Sequence, residues 1–125
     1  MPKNFTVAGT VSVPLEDGQT PALGNLAQSI TYTKKATFDL VYADPIVDDE
    51  ITFGSLAVAG AKGLLIKCTA GACTVKINSS GTDGNIPLPF NTGGYILYMN
   101  PAAGLPTGCH ITVAASASLE ISAVG

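Results

Sequence analysis

His110 is the only histidine in the chain, so any Ser-His-Asp or Cys-His arrangement must use it as the base. Its neighbour Cys109 cannot be its nucleophile, because adjacent residues of a strand point to opposite faces. The phase of the surrounding residues sets His110 outward beside Thr112, as a surface or interface residue. The cysteines, Cys68, Cys73 and Cys109, number three, which is odd and too few for a disulfide scaffold. There is no Cys-x-x-Cys pair or Cys/His cluster of the kind that holds zinc. The strand phases put all three thiols on inward faces, where a free cysteine behaves as a small hydrophobe. The other reading is a Cys68–Cys73 bridge across a tight turn.

Asp44, Asp48, Asp49 and Glu50 form the densest acidic cluster, and clustered carboxylates in a loop are what a hard cation such as calcium requires. The order of an EF-hand loop is absent, so they are weak metal candidates. The competing reading is a charged, solvated loop that keeps an adjacent sheet edge from pairing. A paired-carboxylate glycosidase site could be drawn from the same residues, but the chain has no Trp and no evident cleft for a sugar. Gly93-Gly94 and Gly81-Thr82-Asp83-Gly84 open no helix and lack the Lys-Ser/Thr of a phosphate loop; they read as β-turns. Tyr32, Tyr42, Tyr95 and Tyr98 are scattered, and Tyr98 is the candidate for an exposed contact. No catalytic residue is assigned, no cofactor is expected, and the chain is not expected to be an enzyme.

The elements that must position these residues are strands. Period-two alternation recurs through most of the sequence, while no window sustains the spacing of an amphipathic helix. Phe5, Val7, Gly9, Val11 and Val13 take one face of the first strand, with Thr6, Ala8, Thr10 and Ser12 on the other, until Pro14 ends the ladder. Residues 16–21 are turn chemistry, and 22–28 is the only stretch that could form even a short helical turn. Ile30 and Tyr32, then Phe38, Leu40 and Tyr42, mark two strands or one bent at Lys34-Lys35. Asp44-Pro45 is a break, and 51–56 resumes a short β-rich run.

Leu64, Ile66 and Cys68 share a face, and Cys73, Val75 and Ile77 return inward after a short turn, which reads as a hairpin. Residues 78–84 form a loop. Pro87 and Pro89 cannot donate to a ladder, which predicts an edge or corner for 86–90. A longer loop over 100–108 leads to Cys109, Ile111 and Val113, and Leu119, Ile121 and Ala123 line the last strand. These signals predict a single all-β domain over 1–125, an antiparallel β-sandwich or jelly roll of about 8–10 short strands.

At 125 residues the chain can bury a core without staples, and with only 12% charged residues against 46% hydrophobic ones some surface should be neutral and available for packing. A net charge of −3 offers no basic field for a phosphate backbone, so nucleic acid is not an expected partner. No apolar run is long enough to cross a bilayer, and the start Met1-Pro2-Lys3-Asn4-Phe5 does not read as a signal peptide. The strand 95–99 is apolar on both faces, so one face must bury inside the domain or meet another chain. Ile96 and Tyr98, together with the uncharged set Thr6, Ala8, Thr10 and Ser12, are therefore candidate interface residues.

Gly63-Leu64-Leu65-Ile66-Lys67-Cys68, the return through Thr74-Val75-Lys76-Ile77-Asn78, the run Ile86-Pro87-Leu88-Pro89-Phe90-Asn91-Thr92-Gly93-Gly94-Tyr95-Ile96-Leu97 and the strand Ile111-Thr112-Val113-Ala114-Ala115 together resemble small virion proteins of tailed bacteriophages. The likeness covers roughly the C-terminal half and is one of pattern. It implies a capsid decoration or cement protein that binds and stabilises the major capsid protein shell from the virion surface, after assembly in the host cytoplasm. A homo-oligomer, for instance a trimer, fits that role. The alternative is a tail or head-fibre module that binds a host-surface receptor.

Overall fold

A computed structural model describes residues 3–12, 22–77, 87–100 and 108–125 of the protein, with the side chains of 10–12 and 22–28 outside the description. Pro14, the expected turn at 16–21, the loop at 78–84, most of the loop at 100–108 and the side chains of Thr10 and Ser12 therefore lie outside the described residues.

The described strands are β1 (Lys3–Ser12), β2 (Ala22–Tyr32), β3 (Lys35–Tyr42), β4 (Ile46–Glu50), β5 (Gly63–Ala70), β6 (Ala72–Ile77), β7 (Pro87–Asn91), β8 (Tyr95–Met99), β9 (Cys109–Val113) and β10 (Ala117–Val124), with a single 3-10 turn at Val58–Gly60. From β3 onward the pairs nest as in one long folded hairpin: β3 with β10, β4 with β9, β5 with β8 and β6 with β7. Wrapping that ribbon brings β10 against β5 and β9 against β6. The result is two four-stranded antiparallel sheets, β3-β10-β5-β8 and β4-β9-β6-β7. Nested pairs divided between two facing sheets make a jelly roll, so the all-β expectation holds.

The core follows directly from the alternation. Ala117, Leu119, Ile121 and Ala123 of β10 are buried while Glu120 between them is exposed, and Leu64, Ile66 and Cys68 of β5 and Cys109, Ile111 and Val113 of β9 meet them from their own inward faces. Burying each Leu or Ile side chain contributes about 2 kcal/mol. Pro87 and Pro89 lie on β7, the last strand of its sheet among the described residues, as their missing N–H groups require.

Three local expectations are corrected. β5 and β6 are not a hairpin, because they belong to different sheets; the chain crosses the sandwich at Gly71, whose φ is +73°. A Cβ at that position would sit 2.4 Å from the Ser116 carbonyl oxygen. Inward phase on both sides of a tight turn is common to hairpins and to such corners, so alternation does not distinguish them. Residues 22–28 form no helical turn but belong to β2, held in antiparallel register against β1 from Lys3↔Tyr32 to Ser12↔Ala22; pairing overrides a local sequence that shows no alternation. Asp48, Asp49 and Glu50 are not a loop but the end of β4, where the register slips between Ile46 and Asp49 and Asp48 takes φ +52°. In the 51–56 run, Ile51, Phe53 and Leu56 are buried, with one isolated bridge between Phe53 and Leu56 in place of a strand.

β1 and β2 form a separate two-stranded sheet. A lone two-stranded ribbon is marginal in water, and this one is anchored. The Phe5 ring lies where a side chain at residue 63 would be, 3.0 Å from the position of its Cβ, with Val124 at 2.9 Å. Glycine at 63 is what lets the ribbon seat. The Gly125 carbonyl accepts from the N–H groups of Thr33 and Lys34, and its own N–H donates to the Lys34 carbonyl at 2.9 Å. Ile30, opposite Phe5, is only 1% exposed.

Candidate functional site

The polar residues with chemical potential converge on the outer side of β4, β9 and β6. In this register His110 lies between Glu50 and Lys76. It points away from Cys109 and Ile111, as the phase predicts, yet it is buried rather than a surface residue; β9 is an inner strand of its sheet. Lys76 Nζ donates to Asp48 Oδ1 at 2.9 Å, the Asp48 N–H donates to Thr112 Oγ1 at 2.9 Å, and the Thr112 hydroxyl reaches Asp48 Oδ1 at 3.4 Å. The Lys76 hydrogen bond holds the Asp48 carboxyl below the usual carboxylate range, against a smaller opposing effect of desolvation. The network secures a residue in left-handed backbone, which costs on the order of 1 kcal/mol for a side-chain-bearing residue.

The acidic cluster is divided, not gathered. Asp48 is taken by Lys76 and Thr112, while Asp49 Oδ2 accepts from the Tyr42 hydroxyl at 2.7 Å, tying β4 of one sheet to β3 of the other. Burial, the hydrogen bond to Asp49 and its charge push the Tyr42 phenol above its ordinary range. Asp44 and Glu50 are exposed. No group of three or more His, Cys, Asp or Glu side chains suited to a metal ion occurs among the described residues.

All three cysteines are free and buried. Burial pushes the Cys109 thiol up to about 12, and burial followed by the neighbouring Cys68 does the same for Cys73. Protonated at neutral pH, neither is a ready nucleophile. A cavity of about 190 Å³ lies beside Cys73 and Phe90, bordered by Thr74, Pro89, Thr112 and Ala114. None of its lining residues is charged.

The surfaces offer more than the polar network does. Thr6 and Ala8 are exposed on β1, where Thr6 Oγ1 and Ser29 Oγ lie 3.2 Å apart and Thr31 donates to Asn4 at 3.1 Å. On β8 the faces are the reverse of the expectation. Ile96 and Tyr98 oppose Ile66 and Leu64 and pack against the core, while Tyr95, Leu97 and Met99 share the outer face with Lys67, Leu65 and Gly63. Tyr95 is 62% exposed. With both faces of β8 apolar, its own sequence carries no sign of which turns inward; the cue was the neighbouring strand, where Leu64, Ile66 and Cys68 fix the inner phase and leave Leu65 outside.

β8 is the last strand of its sheet among the described residues. It carries no charge, no proline and no bulge, the devices that ordinarily blunt an edge. The exposed Tyr95 and the half-buried Leu97, Met99 and Leu65 thus form an apolar stripe along that edge, with Lys67 beside Tyr95. Among the described residues, Val41 on β3 and Val47 on β4, each 76% exposed, are with Tyr95 the large apolar side chains that stand out into solvent.

No family model matches the chain, and no curated protein matches it in sequence. Among solved structures it is similar to Drosophila melanogaster CENP-C bound to CAL1, at 12% identity and a TM-score of 0.47, over 90% of this chain and 79% of that one. It is also similar to a Salmonella typhimurium LT2 protein described as ethanolamine utilization protein Q, at 10% identity and a TM-score of 0.36, over 96% of this chain and 97% of that one.

Proposed function

We propose that this protein is a structural component of a tailed-bacteriophage virion, a decoration or cement protein that binds the major capsid protein shell and acts without turnover. The observation that carries this reading is the unguarded β8 edge with its outward Tyr95, Leu97 and Met99. A neutral strand edge gains main-chain hydrogen bonds and apolar burial when another chain lies along it. In a homo-oligomer, or against a capsid subunit, both are realised at once. Bridging adjacent capsid subunits adds contacts that are lost when the lattice ruptures, so binding favours the intact shell by mass action. The low charge of the chain supports repeated close packing, which dense like charge opposes.

The test is reconstitution. Purified protein is mixed with shells that lack it, and the copies retained per particle are counted after sedimentation. Decoration requires a number commensurate with the capsomers and a higher dissociation temperature for the shell. A few copies per particle would reject it in favour of the tail or head-fibre reading, which then requires binding of the isolated protein to host cells.

A further inference from the structure

Two hydrogen bonds at the ends of β8 fix which way its backbone groups point. The Asn100 N–H donates to the Lys62 carbonyl at 2.7 Å, and the Gly94 carbonyl accepts from the Cys68 N–H at 2.9 Å. Alternate residues of an antiparallel strand turn their N–H and C=O groups to the same side, so Gly94, Ile96, Tyr98 and Asn100 address β5. The N–H and C=O groups of Tyr95, Leu97 and Met99 point the other way, where no described strand lies. These open positions are evenly spaced about Leu97. A second β8 running antiparallel about that residue sets Leu97 against Leu97 and Tyr95 against Met99, and every open donor then finds an open acceptor. Sliding the pair by two residues breaks the match. One direction sets Met99 against Gly93, whose N–H is already given to the Cys68 carbonyl at 2.8 Å; the other sets Tyr95 against Pro101, which has no N–H.

We propose that a second copy of this chain pairs with β8 in that register, antiparallel across a twofold axis at Leu97, joining two four-stranded sheets into one continuous sheet. This pairing rests on the reading of β8 as the meeting edge and supplies its occupant. Charge favours a second copy. β8 itself carries none, and the only charged residue opposite it on β5, Lys67, has Glu120 of β10 as its own cross-strand neighbour. Antiparallel pairing sends the two Lys67 residues to opposite ends of the seam, about 20 Å apart at ordinary strand spacing and rise, beyond the screening length of about 10 Å at 0.1 M salt. On the outer face Leu65 and Leu97 stand side by side, so their row continues into the same pair of the second copy. At either end Tyr95, 62% exposed, meets a methionine, whose thioether packs well against an aromatic ring. A contact of this kind is isologous and closes after two subunits.

Cysteine cross-linking of the full chain reads the register. Opposed residues of a hydrogen-bonded antiparallel pair lie about 5.5 Å apart at Cα, within disulfide reach, whereas Tyr95 and its own copy are offset by four residues, roughly 13 Å. After oxidation with copper phenanthroline and denaturation with an alkylating agent, Leu97→Cys should shift to the dimer mass on a non-reducing gel. Tyr95→Cys alone should stay at the monomer mass, and its equimolar mixture with Met99→Cys should cross-link. The parent protein, whose three cysteines are buried, should give no cross-linked product yet sediment natively as a dimer. A parent that sediments as a monomer, a dimeric parent beside a Leu97→Cys variant that fails to cross-link, or a Tyr95→Cys variant that cross-links as readily would each overturn the proposal. The shell assay keeps the two readings apart: a monomer that decorates shells through β8 removes the twofold pair alone, and a dimer that never binds shells removes decoration alone.

Discussion

β7 and β8 follow each other through a single turn and end opposite sheets, yet they treat their exposed edges in contrary ways. β7 reads Pro87-Leu88-Pro89-Phe90-Asn91, with a residue unable to donate at every second position; β8 reads Tyr95-Ile96-Leu97-Tyr98-Met99 and keeps every amide. Neither edge is charged. Prolines close one edge against addition of a further strand, while nothing among the described residues closes the other. On the proposed reading, that asymmetry makes β8 the edge on which other polypeptide would be added.

The largest expected effect comes from the corner that assigns the two edges to different sheets. Gly71→Ala places a Cβ against the Ser116 carbonyl in left-handed backbone and should destabilise the fold by about 3 kcal/mol or more, read from the urea midpoint. A neutral result would remove the sheet crossing, and the contrast between the edges with it. Next is the open edge itself. Leu97→Lys sets a charge on the outer face opposite Leu65 and should weaken self-association or shell binding about 10- to 100-fold, roughly 1.4–2.8 kcal/mol, while costing the isolated fold under about 1 kcal/mol. The reverse change, Pro89→Val, reopens β7 and should raise self-association in sedimentation velocity; an unchanged profile would show that the prolines guard nothing.

At the far side of the sandwich the edges β3 and β4 are clasped by Tyr42 and Asp49. Tyr42→Phe removes that bond and should cost about 1 kcal/mol. Because the folded state raises the phenol's pKa, its stabilisation is complete below the unfolded value of about 10 and is lost as pH climbs above it; the Phe variant should lack that alkaline decline. The smallest effect belongs to Asp48→Asn. The Asp48 pKa is lowered on folding, so its contribution is present above the unfolded value of about 3.9 and lost as pH falls through the folded one. The melting curves of variant and parent should differ at neutral pH and converge in acid.

What the sequence made legible was phase. Leu64, Ile66, Cys68, Ile111, Leu119 and Ile121 face the core as their alternation requires, and two prolines put β7 on an edge, because each follows from a single strand's own residues. What escaped was partnership. That β5 crosses to the other sheet, that 22–28 is held extended by β1, and that Tyr95 rather than Tyr98 looks outward are each decided by a neighbouring strand. The acidic run 48–50 misled for a similar reason: its charges suggested a loop, but Lys76 and Thr112 on adjacent strands draw it into a sheet. Of the candidate interface residues, Thr6 and Ala8 are exposed, while Ile96 and Tyr98 pack inward.

Hydrogen exchange of the backbone amides, compared between the dispersed and the assembled protein, bears most directly on the role given to β8. The amides of 95–99 that face away from β5 should exchange fast when dispersed and become strongly protected on assembly, with those of β7 unchanged. Equal exchange of 95–99 in both states, with protection arising elsewhere, would contradict the assignment of that edge as the meeting surface.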